Sequence, residues 1–512
     1  MESKTVGSRG LVKRHEFVRV IIQCLDSLGY SRSASCLELE SGISCKSLSY
    51  KMLEEQVREG NWDGCVDSLN GIHELTEDTR ASAMFLIFKH WLVECLSYGD
   101  DSLALALLRK QVSTLQMDKE RVRDLAHVLF RLTSMGTGVV DDSVIQKMRK
   151  SLLNELEKLL PPHVVLPERR LEHLVETVVM SQIDSCMYHN MPEAISILED
   201  HCCPGNKIPT ETAQILTGHK NEVWFVQFSN NGEYLASSSS DCTAIIWKVL
   251  QDDSLTHKHT LIGHQYPVSF VAWSPDDTML LTCGNPEVLK LWDVETGTCK
   301  HTFGDHGFIV SSCAWFPDSK RLVCGSSDPE KGICMWDCEG NEIKAWRGSR
   351  MPKVKDLAVT PDGKRLISVL SDKEIRILDM ETNSERTIME EHAITSLSVS
   401  GDNKHFIVNL NSQEIHLWDV AEKWLEPRKY MGHKQHKYVI RSCFGGLNSS
   451  FIASGSEDSR VYVWNQGRCL PVKVLCGHLR TVNCVSWNPR RHQMLASGSD
   501  DNTIRIWRAQ KS

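Results

Sequence analysis

Between residues 14 and 41 the apolar positions fall at helical spacing. Phe17, Ile21, Leu25 and Leu28 step by four, four and three, which lines them along one face of a helix starting at Arg14. Gly29 stands where that helix must stop, because glycine accepts the positive φ of a C-terminal cap. Ser31 or Ser33 is placed to cap a second short helix carrying Ala34 and Leu37. Two such helices cannot bury an apolar face between themselves, so they dimerise or dock. The polar, basic residues 1–13 read as a flexible tail. Further on, a helix ends near Gly60, and Asn61 or Asp63 caps one that buries Val66 and Leu69. Residues 84–96 are too apolar for a surface helix. The run 97–112 restarts with Leu103, Leu107 and Leu108 on one face, and more helices are predicted over 119–132, 144–160 and 168–188. PPHVVLP, 161–167, separates two of these and reads as an inter-helix turn rather than a polyproline ligand. Pro192 suits the first turn of a last short helix.

From about residue 206 the period shortens to two and the pattern repeats. Gly-His-type markers occur at His219, His264, His306, His392, His433 and His478, at intervals of 45, 42, 86, 41 and 45 residues. The long interval holds two units, with a degenerate copy near Trp346–Gly348. The strand-end residues Trp247, Trp292, Trp336, Leu378, Trp418, Trp464 and Trp507 mark seven units. Each unit has several alternating runs between turns, which predicts one four-stranded sheet per unit. A closed β-propeller is the arrangement that protects the sheet edges. The chain ends five residues after Trp507, too soon for a fourth strand in the last unit. Residues 212–216 precede the first marker without a unit of their own, and are predicted to close blade seven. The fold class is therefore multidomain, an all-α helical region followed by an all-β seven-bladed propeller.

Composition narrows the function. A chain of 512 residues, 41% hydrophobic and 24% charged, gives each half enough residues for its own core. A net charge of −8 argues against a nucleic-acid partner. The 19 cysteines are scattered, without a CxxC pair, and Cys24, Cys65, Cys313 and Cys484 sit among apolar neighbours. That usage fits a reducing compartment, hence the cytoplasm and nucleus. There is no apolar leader and no run of about 18 apolar residues, so no membrane partner is expected. P-loop, GxSxG, HExxH and zinc-spaced Cys/His patterns are missing, so no catalytic residue, metal or cofactor is expected. His201-Cys202-Cys203 is compact but reads as accidental, for want of a second ligand pair.

Several stretches carry resemblances. LDSLGYSRSASCLELESGI, 25–43, resembles a LisH motif through Leu28-Gly29-Tyr30, Ala34 and Glu40-Ser41. This implies a dimerisation element over 14–46, with Phe17, Ile21, Leu25, Leu28, Tyr30 and Leu37 as its contacts. Glu59-Gly60-Asn61-Trp62 and Leu107-Leu108-Arg109 resemble a CTLH domain (47–110) and its CRA continuation (111–205). The repeats over 206–512 resemble WD40 units, with Trp-Asp kept at Trp292-Asp293, Trp336-Asp337 and Trp418-Asp419. In that pattern a His, a strand Ser, a turn Asp and a Trp form a buried hydrogen-bond chain. His219, Asp241 and Trp247 match it, as do His433, Asp458 and Trp464, and His478, Asp501 and Trp507, with Ser497 the candidate hydroxyl. The resemblance makes these residues structural. Blade two has Pro286 at the Asp position and blade five Ser412; blade four keeps only Asp372; blade three carries the insertion SSDPEKG.

Function then falls on the propeller's top face. Aligning the units places there Glu222, Trp224, Ser269, Ser311, Lys353, Lys355, Tyr438, Ile440, Arg480 and Asn483. Trp224 and Tyr438 suit anchoring roles. Lys353 and Lys355, with Arg350 and Arg480, form a basic sector suited to an acidic peptide. The order LisH, CTLH, CRA, WD40 resembles the WD repeat-containing protein 26 family, a subunit of the CTLH (GID) E3 ubiquitin ligase. It implies a non-catalytic scaffold whose partners are a second copy of itself, other LisH–CTLH subunits, and protein or peptide substrates. The Trp-Asp pairs lead to Glu295, Glu339 and Ala421, so the Trp-Asp-x-Arg box of cullin-4 adaptors is missing. The alternative is a transcriptional corepressor-like or splicing-associated LisH–CTLH–WD40 scaffold.

Overall fold

The computed structural model describes residues 4–72, 75–98, 142–192 and 194–510, apart from residues 285–287, 304–309, 327–331, 347–352, 372, 422–423 and 425. The helical runs expected beyond Tyr98 to 112 and over 119–132 lie outside the described residues, as do Pro286, His306, Arg350, Asp372 and most of the blade-three insertion. The chain forms two compact units, Met1–Met180 and Ser181–Ser512. The second begins upstream of residue 206 because Tyr188 packs against the propeller cluster that includes Ile208, Phe451 and Trp507.

In the first unit, helix α1 (Arg14–Ser27) is followed by Gly29 at φ +89° and α2 (Ser31–Ser41). Neither serine caps α2. Tyr30 occupies the cap position, and Ser31 instead donates to Asp26 at 2.6 Å. The tail folds back on itself, Thr5–Val6 pairing with Val12–Lys13. Helix α3 (Leu48–Glu59) is capped by Ser47, and α4 (Trp62–Asn70) by Asn61, whose side chain accepts from Gly64 N at 3.1 Å. The buried face of α4 is Trp62, Cys65 and Leu69, one position round from Val66. These residues pack with Tyr50, Leu53 and Val57 of α3, Ile87 of α5 (Glu77–Ser97), and Leu152 and Leu156 of α6 (Asp142–Leu159). Arg149 of α6 reaches both carboxylate oxygens of Glu94 on α5, at 3.1 and 2.5 Å. Both groups are nearly buried, so each satisfies a charge that would otherwise be costly. PPHVVLP is a packed turn. Val164 and Val165 are buried, and the carbonyls of His163 and Leu166 accept from Arg19 and Gln23 of α1. After α7 (Arg170–Ser185) no α-helix follows Pro192 among the described residues. Ile197 and Leu198 there are 70% and 89% exposed, so the stretch has no apolar surface to lay a helix on.

The second unit holds seven four-stranded antiparallel sheets in chain order. Blade one runs over Val223–Ile262, two over Val268–Phe303, three over Val310–Trp346, four over Val354–Met389, five over Ile394–Met431 and six over Ser442–Cys476. Blade seven takes Val482–Trp487, Met494–Ser499 and Ile504–Arg508, and its fourth strand is Glu211–Leu216. The innermost strands of consecutive blades pack together, and that of blade seven packs on that of blade one. Hydrogen bonds across this last seam include Asn483 Nδ2 to Val223 O at 3.0 Å, Phe228 N to Ser486 Oγ at 2.9 Å and Asn488 Nδ2 to Gly232 O at 3.0 Å. Inner and outer strand faces alternate as the period of two requires, with the second strand of nearly every blade buried throughout. Among the described residues no helix is long and apolar enough to cross a membrane.

Candidate functional site

The histidine–aspartate–tryptophan sets divide the blades into satisfied and unsatisfied ones. In blade seven, His478 Nδ1 lies 2.8 Å from Asp501, its Nε2 2.8 Å from Ser497 Oγ, and Trp507 Nε1 donates to Ser497 at 2.8 Å. Blade one repeats this with His219, Asp241, Ser237 and Trp247 at 3.0, 2.8 and 3.0 Å. A neutral imidazole protonated at Nδ1 satisfies every member: Trp donates to Ser, Ser to His, His to Asp. Burial opposes ionisation of Asp241 and Asp501, but hydrogen bonds from His219 or His478, a threonine and a backbone N–H hold both carboxyls well below their usual range. Blade two keeps half the chain, with Thr282 in the serine's place, 2.6 Å from His264 Nε2 and accepting from Trp292 at 2.8 Å. Among the described residues His264 Nδ1 has no partner, and burial pulls its pKa down to about 4.

Blade six corrects the sequence. His433, Asp458 and Trp464 are close but not joined. Asp458 accepts from Tyr462 at 2.7 Å, Trp464 donates to Met431 O at 3.0 Å, and Ser454, the equivalent of Ser497, donates to Gly455 O at 3.0 Å. Neither ring nitrogen of His433 is bonded to Asp458, Ser454 or Trp464, and burial brings its pKa down to about 4. Tyr462 and Asn409, which competes for Ser454, are the residues that divert the chain. Blade five substitutes another device. Its marker His392 is exposed, and Glu390 lies inside, accepting from Trp418 at 2.7 Å and contacting His416 at 2.8 Å. His416 also meets Glu414 at 2.9 Å. Burial works against charge on His416, but the two carboxylates outweigh it and raise its pKa.

The top-face residues fall into three groups. Lys353, Lys355 and Arg480 are exposed, and Tyr438 is 44% exposed with the Lys437 ammonium 5.2 Å from its ring centre. Glu222 and Trp224 are half-buried and paired, Trp224 Nε1 donating to Glu222 at 3.1 Å. Ser269 and Ser311 are turned into their own blades, donating to Cys283 O at 3.3 Å and Gly325 O at 3.1 Å. Two residues are not surface groups at all. Asn483 is buried at the blade seven–one seam, donating to Val223 O and to Asp500. Ile440 is wholly buried, its carbonyl accepting from Ser396. The ladder explains this. Ser454 corresponds to Val408 of blade five, so Ser442 matches Leu397, but the blade-six ladder starts at Ser442 without the bulge that blade five has between Ile394 and Ser396. A shift of one residue along a strand exchanges its faces.

Arg441, missed in the sequence, ties the ring together across its centre. Its guanidinium donates to Asp356 of blade four at 2.7 Å and lies over the rings of Phe225 and Phe270 at 5.4 and 4.7 Å. Asp356 also accepts from Leu397 N of blade five at 3.0 Å. The available signal was a charged residue inside the apolar run Val354–Val359, whose only reason to be there is a partner. The compact His201-Cys202-Cys203 run has further Cys and His side chains close to it. Cys186 and His189 supply the second pair beside it, with His189 Nδ1 3.1 Å from His201 Nε2.

Two family models match the chain. The WDR26 Lis-homology domain covers residues 3–47. The WD domain, G-beta repeat, covers 210–248, 255–293, 297–337, 426–465 and 469–508, leaving blades four and five unmatched although both are complete sheets. The WD40 propeller is a scaffold family, typically non-catalytic. The chain is 64% identical to the WD repeat-containing protein WDS homolog of Arabidopsis thaliana, over 98% of this chain and 97% of that one. It is 45% identical to a WD repeat-containing protein 26 homolog of the same plant, over 99% and 86%. It is 34% identical to GID complex subunit 7 of Schizosaccharomyces pombe, over 96% of each. With a WDR26-type Lis-homology domain ahead of a seven-bladed propeller, and this similarity running nearly end to end, the chain belongs to the WD repeat-containing protein 26 family.

Proposed function

We propose that the chain is a non-catalytic scaffold and recruiting subunit of a GID-type E3 ubiquitin ligase, working in the cytoplasm and nucleus. Its LisH helices bind a second copy, its helical unit joins other LisH–CTLH subunits, and its propeller holds protein or peptide clients. The observation that carries this reading is the similarity to GID complex subunit 7 over 96% of both chains, which spans the helical and propeller units together. Local features support each part. Phe17, Leu28 and Tyr30 are 41%, 59% and 61% exposed, an apolar surface on a helix pair that a second copy would cover. Ile21, Leu25 and Leu37 are partly covered already and would form the rim nearer the helix pair. Lys353, Lys355 and Arg480, with Tyr438, offer cationic and aromatic contacts for an acidic client.

The test is affinity capture of the full-length chain from its own cells, followed by identification of what co-purifies. RING-bearing LisH–CTLH subunits are expected in stoichiometric amounts. Their absence, with spliceosomal or corepressor proteins in their place, would overturn the reading. Replacing Phe17, Leu28 and Tyr30 by polar residues should reduce the mass of the purified chain in solution; an unchanged mass removes LisH as the self-association element.

A further inference from the structure

Four metal-binding side chains meet where the chain leaves α7. Cys186 directly follows the last residue of α7, and His189 lies three residues on; His201 and Cys203 return to them after an irregular loop. His189 Nδ1 is 3.1 Å from His201 Nε2, and Cys203 Sγ is 3.2 Å from His201 Nε2 and 3.6 Å from His189 Nδ1. The ligand atoms of Cys186, His201 and Cys203 all lie within 4.8 Å of one another. A tetrahedral cation held about 2.3 Å from sulfur and about 2.0 Å from nitrogen sets its ligand atoms roughly 3.3–3.8 Å apart. His189, His201 and Cys203 already have nearly those spacings, and Cys186 lies within 4.8 Å of His201 and Cys203. In sequence it is Cys-x2-His, eleven residues, then His-x-Cys.

The surroundings hold these groups in place. Gln182 of α7 accepts from His201 N at 3.2 Å and donates to Asp200 at 2.9 Å, which positions the returning strand of the loop. Cys203 N donates to Cys186 Sγ at 3.4 Å, the N–H···S contact that stabilises sulfur as a ligand. Cys186 and His189 are both buried. Asn190, next to His189, donates to Lys207 O and His492 O and accepts from Leu447 N, so one side of the cluster is fixed to blades six and seven. The other side is a loop whose Ile197 and Leu198 stand exposed, so packing of its apolar residues does not secure it.

We propose that Cys186, His189, His201 and Cys203 bind one zinc-class cation through two thiolates and two imidazoles, pinning the 190–200 loop to the propeller. Thiolate and imidazole donors select zinc over calcium or magnesium, and four protein ligands leave no open position, so the site is structural rather than catalytic. Binding releases the two thiol protons to solvent and changes no oxidation state. The site lies just ahead of the strand Glu211–Leu216, so the metal would also restrain the segment that closes the ring.

The test uses the full-length chain purified without chelators or metal-affinity resin. Elemental analysis should find about one zinc per chain, and Co2+ exchanged into the site should give the intense visible bands of a tetrahedral ion with thiolate charge transfer. Cys186→Ser with Cys203→Ser should lose at least about nine-tenths of the metal, while Cys202→Ser, one residue from the cluster, should keep it. Should the double variant fail to fold, chelator-stripped wild-type protein titrated with Zn2+ against a chromogenic chelator decides, with saturation at about one equivalent supporting the site. Wild-type protein that carries no zinc and takes up none, or Co2+ bound with a weak octahedral spectrum, would overturn it.

Discussion

Ser497 serves two buried groups with one hydroxyl, accepting from Trp507 and donating to His478. Removing it strands the indole N–H and an imidazole nitrogen, a loss of about 1–3 kcal/mol for each group left unpaired. Ser497→Ala should therefore lower the melting temperature of the propeller clearly. Ser454→Ala, at the matching place in blade six, should cost less, because Ser454 meets neither His433 nor Trp464. Equal effects from the two substitutions, measured by calorimetry, would contradict the division between the blades. At this scale the sequence is a partial guide. In both His219, Asp241 and Trp247 and His433, Asp458 and Trp464 the Asp lies six residues before the Trp, yet only the first set is joined. What separates them is Tyr462, whose hydroxyl reaches Asp458 from the next strand, and spacing carries no record of such a competitor. Arg441 was hidden for a similar reason. Its partner Asp356 is 85 residues away in sequence and near only once the ring has formed.

The strand Glu211–Leu216 is the element on which the second unit depends. It pairs with Ile504–Arg508 nearly 300 residues later, through partners such as Leu216 with Ile504 and Glu211 with Arg508. Without it, the outer edge of blade seven would present unpaired backbone donors and acceptors. Deleting 206–216 from the full-length chain should abolish the cooperative melting of the propeller, and an unchanged transition would show that the ring closes otherwise. This element was legible because the count of strands failed to balance at the C-terminus. Blades four and five were legible from the length of the gap between markers, although their signature residues have gone. Stacking explains why: Ile375, Ile377, Ile394 and Phe406 fill the space between them without help from a histidine chain. The register of blade six was not legible. Its first strand is short, Ser442–Gly445, and the alternation that would fix its faces is interrupted at Ile440-Arg441. The loop after Pro192 failed for a different reason. A proline can open a helix, but Ile197 and Leu198 find nothing to pack on, and the residues that organise the loop are Cys186, His189, His201 and Cys203 at its base. Two pairs eleven residues apart, Cys-x2-His and His-x-Cys, neither of the CxxC form, leave a weak trace in sequence.

For the whole molecule, the two units divide the labour that the proposed function requires. Each buries its own core, the first around α3, α4, α5 and α6 and the second around seven sheets. The propeller fixes its surface residues on a rigid frame, stiffened by Arg441 and Asp356 across the ring, and so can present Lys353, Lys355, Arg480 and Tyr438 in constant geometry. Under the proposed function such a frame recruits partners rather than supplying chemistry. The most direct measurement is ubiquitin transfer to a client in a reconstituted ligase, with and without this chain, using equal amounts of activating and conjugating enzymes. The account predicts no transfer by the chain alone, and a large fall in client ubiquitination, about tenfold or more for an anchored client, when the chain is left out of the complex. Transfer by the chain alone, or an unchanged rate in its absence, would contradict it.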